Sequence, residues 1–159
     1  MVSKCQNYNV KSMSNKKATS TQLDQQNYWR NLKLFLEEQN SLVRIKEPLP
    51  QNYINIPIGK SGICLAVAVN SQTSELYIWL LFYGDDSKEN FDKLKRIAFD
   101  QSLIEVSKDL VWDRMEKNIR SAVKLSMNAD YMNKPDWGNQ FKWFKVHLEK
   151  YYSFFYPLL

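Results

Sequence analysis

Two apolar runs near the middle of the chain form its clearest pattern. Residues 63–69 alternate bulky side chains with cysteine and alanine, whereas residues 76–83 are apolar on both sides. Alternation with a period of two is typical of a β-strand. The polar segment 70–74 between the runs favours a hairpin loop. The pattern predicts a central hairpin with both faces largely covered, one of them by a helix that approaches the small residues closely.

Two segments around this hairpin repeat apolar residues every three or four positions, as amphipathic helices do. The first has Thr21 or Asp24 as its cap, includes Val43 in its apolar arc, and is ended by the proline-containing segment 47–50. The second begins at the capping box of 86–89 and is predicted to run to about residue 107. Both are expected to pack on the sheet.

A third helix follows Asp136, its predicted cap, and carries the most regular apolar stripe. The stripe consists of Trp137, Phe141, Phe144, Leu148, Tyr151 and Phe155. Trp143, Val146 and Phe154 project toward the other side of the same helix. Because a helix that is apolar all round is buried twice, these three residues predict an interaction surface for a second copy of the chain or for another protein.

The remaining strands complete the predicted fold class. Residues 55–58 read as a short first strand and 119–127 as a fourth, while Trp112 is placed in a connecting segment. The sequence predicts an α+β domain over 24–159, with a mainly antiparallel four-stranded sheet packed by three helices in the order α-β-β-β-α-β-α. Residues 1–23 are predicted to be a disordered, basic, polar tail.

Charge and composition narrow the classes of function. Four of the five net positive charges lie in residues 1–23, which leaves +1 for 24–159. No stretch approaches the roughly 20 apolar residues of a membrane span, and no signal-peptide core is evident. We therefore expect a cytoplasmic protein without membrane contact. The only histidine is His147, which excludes histidine-based zinc clusters, and we expect no metal and no cofactor.

The segment 59–62, Gly-Lys-Ser-Gly, has the letters that end a phosphate-binding loop. Such a loop needs a further glycine where this chain has Ile54, and it needs a helix immediately afterwards. Because a strand follows instead, we interpret 59–62 as a turn.

Several landmarks along the chain line up with one known family. They are Tyr28-Trp29, Ile58-Gly59, Glu75-Leu76-Tyr77-Ile78, Phe91-Asp92 with Leu94, Val111-Trp112, and Trp143 with Phe155-Tyr156-Pro157. They resemble a bacterial and archaeal domain family of unknown function, whose members often form the C-terminal half of proteins with a restriction-endonuclease-like N-terminal half. The resemblance covers about residues 25–159 and implies no catalytic residues.

The order of elements also resembles the core of the PD-(D/E)xK nucleases, which implies a divergent Mg²⁺-dependent nuclease as one alternative. Those enzymes place an acid near the second strand and an acid-x-Lys pair on the third. Here residues 63–69 contain no acid, and Tyr77 stands where a lysine would follow Glu75. Residues 86–88, Asp-Ser-Lys, match the acid-x-Lys letters, but they lie at a predicted helix cap and not on the third strand. We expect a protein that is not itself a catalyst.

Two binding functions remain. A basic set on the fourth strand, its approach and the last helix is the candidate for weak contact with the phosphate backbone of DNA or RNA. This set consists of Arg114, Lys117, Arg120, Lys124, Lys142 and Lys145. The rival is a protein-interaction or homodimerisation module built on Trp143, Val146 and Phe154. The family resemblance implies a bacterial restriction or defence system as the context, with a nuclease or defence protein as the partner.

Overall fold

A computed structural model describes residues 16–100 and 109–159. The described residues form three α-helices, α1 (Ser20–Glu38), α2 (Ser87–Asp100) and α3 (Trp137–Phe155). They also form five β-strands, β1 (Tyr53–Pro57), β2 (Ile63–Asn70), β3 (Glu75–Phe82), β4 (Val111–Asp113) and β5 (Ser121–Asn128). Short 3-10 helices, Lys134–Asp136 and Tyr156–Leu158, flank α3. No described helix is long and apolar enough to cross a membrane.

The five strands form one antiparallel sheet in the order β1-β2-β3-β5-β4. The β2–β3 hairpin lies at its centre, which confirms the predicted core of the sheet. Val67 of β2 lies opposite Ile78 of β3, and Ile78 lies opposite Leu125 of β5. Because side chains alternate along each strand, this register places all the bulky residues of β2 on one face.

The prediction of four strands was wrong, because Trp112 belongs to an additional strand. It lies in β4, which pairs only with β5 and forms an edge of the sheet. Three residues are too few to show a period-two pattern, so no local signal predicted this strand. The α+β class and the antiparallel pairing are confirmed.

All three helices pack on the same face of the sheet. One continuous core joins Trp29 of α1, Phe91 of α2 and Phe144 of α3 to strand residues such as Ile78 and Val123. The sequence predicted a helix close to the small residues of β2, but none of the three described helices packs on that face. The alternation of side chains within one strand shows that a face is apolar, but it does not show which element packs on that face.

The bounds of α1 differ from those predicted. Its cap is Thr19, whose hydroxyl accepts from the backbone N–H of Gln22 at 3.2 Å, while the Gln22 side chain accepts from the Thr19 N–H at 2.9 Å. This reciprocal pairing fixes the start of the helix inside the segment 1–23. The helix ends at Glu38, well before the proline segment, and Val43 is buried in the extended connection that follows.

The turn 59–62 is confirmed by its position between β1 and β2. Gly62 has a φ of +74°, and a Cβ there would lie 3.2 Å from the carbonyl oxygen of Tyr83. The Tyr83 N–H donates to the Gly62 carbonyl at 2.9 Å. A glycine is required where the backbones approach this closely.

Other bounds agree with the predictions to within a few residues. β1 ends at Pro57 on an edge of the sheet, and α3 begins directly after Asp136. β5 begins at Ser121, and Ile119, which was predicted to be in the strand, is 62 % exposed in the preceding loop. The predicted end of α2 near residue 107 lies outside the described residues.

Candidate binding surface on the sheet

The side of the sheet opposite the helices is the candidate functional surface. Its centre is formed by Ala66 and Ala68 of β2, Tyr77 and Trp79 of β3, and Lys124 of β5. No described helix packs on these residues, and we call this side the helix-free face. It carries a separate small cluster at one end, where Cys64, Leu81, Tyr83 and Ala122 are buried.

Tyr77 and Trp79 form an aromatic pair on this face. Their ring centroids are 6.0 Å apart with the planes at 59°. Both residues are half-buried, and they lie directly opposite Ala68 and Ala66 on β2. Because alanine side chains are short, the aromatic rings extend further from the sheet than their neighbours on β2. This arrangement suits contact with a flat or extended ligand.

Lys124 lies across from Trp79 on β5 and connects the aromatic pair to β4. Its ammonium nitrogen is 5.5 Å from the centroid of the Trp79 ring, a cation–π geometry. The same nitrogen donates to the Asp113 carboxylate at 2.6 Å. The hydrogen bond from Lys124 and a second one from the Met115 N–H hold the pKa of Asp113 below its ordinary value.

Glu75 borders the other end of the aromatic pair. The hydroxyl of Tyr77 donates to its carboxylate. Hydrogen bonds from Thr73 and Tyr77 hold the pKa of Glu75 below its ordinary value, and the bond to Glu75 raises the pKa of Tyr77. Both carboxylates on this face are therefore ionised at neutral pH. Lys124 compensates the charge of Asp113, whereas no ion pair among the described residues includes Glu75.

The indole nitrogen of Trp79 is a donor on this face that lacks an acceptor. Within the part of the chain that the structure describes, the Trp79 Nε1 is buried and has no hydrogen-bond partner. A buried donor without an acceptor costs about 1–3 kcal/mol.

The structure separates the six residues of the predicted basic set. Lys124 lies on the helix-free face, whereas Lys142 and Lys145 lie on α3, which packs on the opposite face. Three of the six are paired with carboxylates: Arg114 with Asp92 and Glu116, Lys124 with Asp113, and Lys145 with Glu149. Lys117 and Arg120 lie together in the β4–β5 loop. The set does not form one continuous track.

The predicted aromatic surface of α3 is largely used within the domain. Trp143 packs on Phe144 and on His147, with centroid distances of 5.2 and 5.1 Å, and Phe154 packs on Phe155 at 4.8 Å. Trp143 and Phe154 are half-buried, and only Val146 of the three predicted residues is exposed, at 45 %. The three residues therefore offer less apolar surface than the sequence pattern indicated.

Lys88 has a structural role that the sequence did not reveal. Its ammonium donates to the carbonyl oxygen of Arg114, to that of Met115 at 2.8 Å and to that of Arg120 at 2.7 Å. The neighbouring Ser87 hydroxyl donates to the carbonyl of Ile119. The lysine that matched the acid-x-Lys letters therefore binds the backbone of the β4–β5 loop. No local pattern predicts it, because the three carbonyls belong to a segment at least 26 residues away.

Replacing Lys88 with methionine is expected to lower the free energy of unfolding by about 1–3 kcal/mol, because three carbonyls lose a charged donor. Urea unfolding followed by circular dichroism measures the change. Lys93→Met is the matched control, since Lys93 lies on the exposed side of the same helix. Equal midpoints for the two variants would contradict the anchoring role of Lys88.

The described residues offer little for metal chemistry. Within 16–100 and 109–159, no three His, Cys, Asp or Glu side chains lie close enough to hold a metal ion. A cleft of about 580 Å³ beside α2 has acidic and basic side chains around it. It is lined by Asp85, Lys88, Glu89, Asp92, Lys93, Arg96 and Arg114. Two of these residues, Lys88 and Arg114, are bound to other groups of the domain.

Comparisons with known proteins identify a family and a distant likeness to a solved structure. The model of the family described as "Domain of unknown function (DUF4268)" matches residues 25–159. No curated protein shows a significant match. Among solved structures, one titled "Crystal Structure of the ExsC-ExsE Complex" is similar with a TM-score of 0.35 and 10 % identity. The likeness covers 74 % of this chain and 90 % of that chain, and at this TM-score it carries no argument about function.

Proposed function

We propose that this chain, which belongs to the DUF4268 family, is a non-catalytic binding module that docks a protein partner on its helix-free face. The observation that carries the proposal is the half-buried pair of Tyr77 and Trp79 at the centre of the sheet. The pair lies beside the small residues Ala66 and Ala68, on the face opposite the helical core. Aromatic residues in such central positions dominate the binding energy of protein interfaces.

The charges around this pair favour a protein over a nucleic acid. Glu75 and Asp113 border the aromatic rings, and an ionised carboxylate repels a phosphate backbone. The ammonium of Lys124 is already bound to Asp113. A nucleic acid on this face would have to displace that ion pair before it gained a phosphate contact.

A second candidate function is weak contact with DNA or RNA through the β4–β5 loop. Lys117 is exposed and Arg120 is half-buried there, and no ion pair among the described residues includes either of them. Exposed Lys142 on α3 is likewise outside those ion pairs. Cationic side chains outside ion pairs are available to phosphates, but two or three phosphate contacts give only weak, salt-sensitive binding.

The partner and the cellular setting follow from the resemblance of the sequence. We propose that the partner is a nuclease or defence protein of a bacterial or archaeal cell and that the two meet in the cytoplasm. In this arrangement the partner carries the catalytic site, and the present chain contributes recognition. The alternative is a homodimer that forms through α3 instead of the helix-free face, with the exposed Val146 as its contact.

The test compares wild-type protein with Tyr77→Ser combined with Trp79→Ser. Tagged protein is purified from its own cells, the associated protein is identified by mass spectrometry, and the affinity of the two purified proteins is measured by calorimetry. We expect the double substitution to weaken binding about 30-fold or more, the loss of roughly 2 kcal/mol typical of aromatic contacts at an interface centre.

Two matched variants separate the candidates. Val146→Ser, on the opposite side of the domain, is expected to leave the affinity unchanged. Lys117→Glu with Arg120→Glu is expected to abolish any salt-sensitive binding of a short DNA or RNA measured by fluorescence anisotropy. If the Tyr77 and Trp79 substitutions left the affinity for the identified protein unchanged, the helix-free face would not be the docking surface.

A further inference from the structure

We infer that the segment bound on the helix-free face is basic, and that one of its Arg or Lys side chains lies over the Tyr77 ring beside Glu75. The inference rests on the proposed function, since it names the chemistry of the partner that docks there. It is carried by the position of an uncompensated carboxylate next to an aromatic ring. The two groups together attract a cation more strongly than either does alone.

The charge balance along β3 is unequal. Glu75 and Lys124 contact the aromatic pair, and Asp113 binds Lys124. Asp113 and Lys124 form a 2.6 Å ion pair and cancel one another. Among the described residues, Glu75 accepts from the neutral hydroxyls of Thr73 and Tyr77, and these hydrogen bonds lower its pKa and keep it charged. One negative charge at the Tyr77 end is therefore left for a ligand.

The Trp79 end of the pair already shows the same kind of recognition. Lys124 holds its ammonium 5.5 Å from the centroid of that ring while it is bound to a carboxylate. The Tyr77 end has the ring and the carboxylate, but among the described residues no Lys or Arg lies over Tyr77. A partner's cation would complete there the arrangement that Lys124 makes at Trp79.

The spacing of the face indicates the form of the basic segment. Tyr77 and Trp79 are two residues apart on one strand, so their side chains are separated by about 7 Å along it. Alternate side chains of an extended peptide have the same spacing. With a cation over Tyr77, the side chain two residues on lies near Trp79 and Ala66, where an apolar group fits.

The probe is a capped hexapeptide with the sequence GGRGLG, compared with GGEGLG. Binding is followed by the indole N–H resonance of Trp79, which is assigned by its loss in Trp79→Phe. We expect the arginine peptide to shift this resonance at a concentration at least about tenfold below the glutamate peptide, a difference of roughly 1.4 kcal/mol. Glu75→Gln is expected to remove most of this difference, while Glu38→Gln, an exposed substitution on α1, leaves it unchanged.

The outcomes separate this inference from the proposed function. The inference of a basic segment would be overturned by any of three results: equal shifts with the two peptides, a preference for the glutamate peptide, or no shift up to about 10 mM peptide. The dependence of the identified partner on Tyr77 and Trp79 tests the docking face independently. The chain's own lysines are tested with Lys4→Gln and Lys11→Gln in the full-length protein. If this double substitution shifts the Trp79 resonance when no peptide is present, the cation over Tyr77 comes from the chain itself. That result would overturn the assignment of the cation to a partner.

Discussion

Replacing Trp29 with alanine is expected to lower the free energy of unfolding by about 3–5 kcal/mol, the range for removing a large aromatic side chain from a core. Trp29 is 0 % exposed and lies where α1 meets α3, with its ring centroid 6.0 Å from that of Phe144. Its indole N–H also donates to the carbonyl of Gln51 at 2.9 Å. The substitution therefore creates a cavity and leaves a carbonyl of the α1–β1 connection without its donor.

Urea unfolding measures this change, with Leu34→Ala as the control on the same helix. Leu34 is 54 % exposed, so its truncation is expected to change the stability by less than about 0.5 kcal/mol. Trp29→Phe keeps most of the packing and loses only the hydrogen bond. Its free energy of unfolding is therefore expected to lie between those of Trp29→Ala and Leu34→Ala. If Trp29→Ala and Leu34→Ala had similar midpoints, the contact between α1 and α3 would not stabilise the domain as inferred.

Replacing Gln140 with leucine is expected to lower the free energy of unfolding by about 2–3 kcal/mol, because it leaves buried polar groups unpaired. The Gln140 side chain accepts from the Tyr28 hydroxyl at 2.7 Å and donates to the Asp130 carbonyl at 2.9 Å and to the Asp136 carboxylate at 3.0 Å. Burial, aided by the charge of Asp136, raises the pKa of Tyr28 far above its ordinary value, so its hydroxyl remains a donor. The substitution leaves the Tyr28 hydroxyl in the core without an acceptor.

A double-mutant cycle isolates the contact between the two side chains. Tyr28→Phe removes the stranded hydroxyl, so Tyr28→Phe combined with Gln140→Leu is expected to cost about 1 kcal/mol less than the sum of the single changes. Asn139→Leu, at the exposed neighbouring position, controls for the added leucine. Strict additivity would show that the hydroxyl and the amide do not depend on one another.

The sequence was a good guide to the fold and a poor guide to the site. Five of the six residues of the predicted α3 stripe are buried, namely Phe141, Phe144, Leu148, Tyr151 and Phe155, whereas Trp137 at the start of the helix is half-buried. Tyr77 and Trp79, in contrast, were visible only as part of an apolar strand. Their importance depends on which face the helices occupy, and α1, α2 and α3 come from distant parts of the chain. Periodicity within one strand contains no information about that choice.

The basic residues illustrate the same limit. Lys124 and Lys145 were grouped by their sign and by adjacent elements, yet they lie on opposite sides of the sheet. Lys88 was noted only for a motif, and its role became clear from three carbonyls in the β4–β5 loop. Charges are solvated by default, so a sequence shows that they are present but not which carboxylate or carbonyl they meet.

The sequence by itself determined the order of helices and strands, the central hairpin and most of the buried residues, because these follow from hydrophobic periodicity and turn chemistry over short stretches. The tertiary structure alone decided that β4 joins the edge of the sheet, that all three helices share one face, and that Tyr77 and Trp79 are left on the other. These features arise from contacts between residues far apart in the chain, where the packing of whole elements, rather than local preference, sets the free energy.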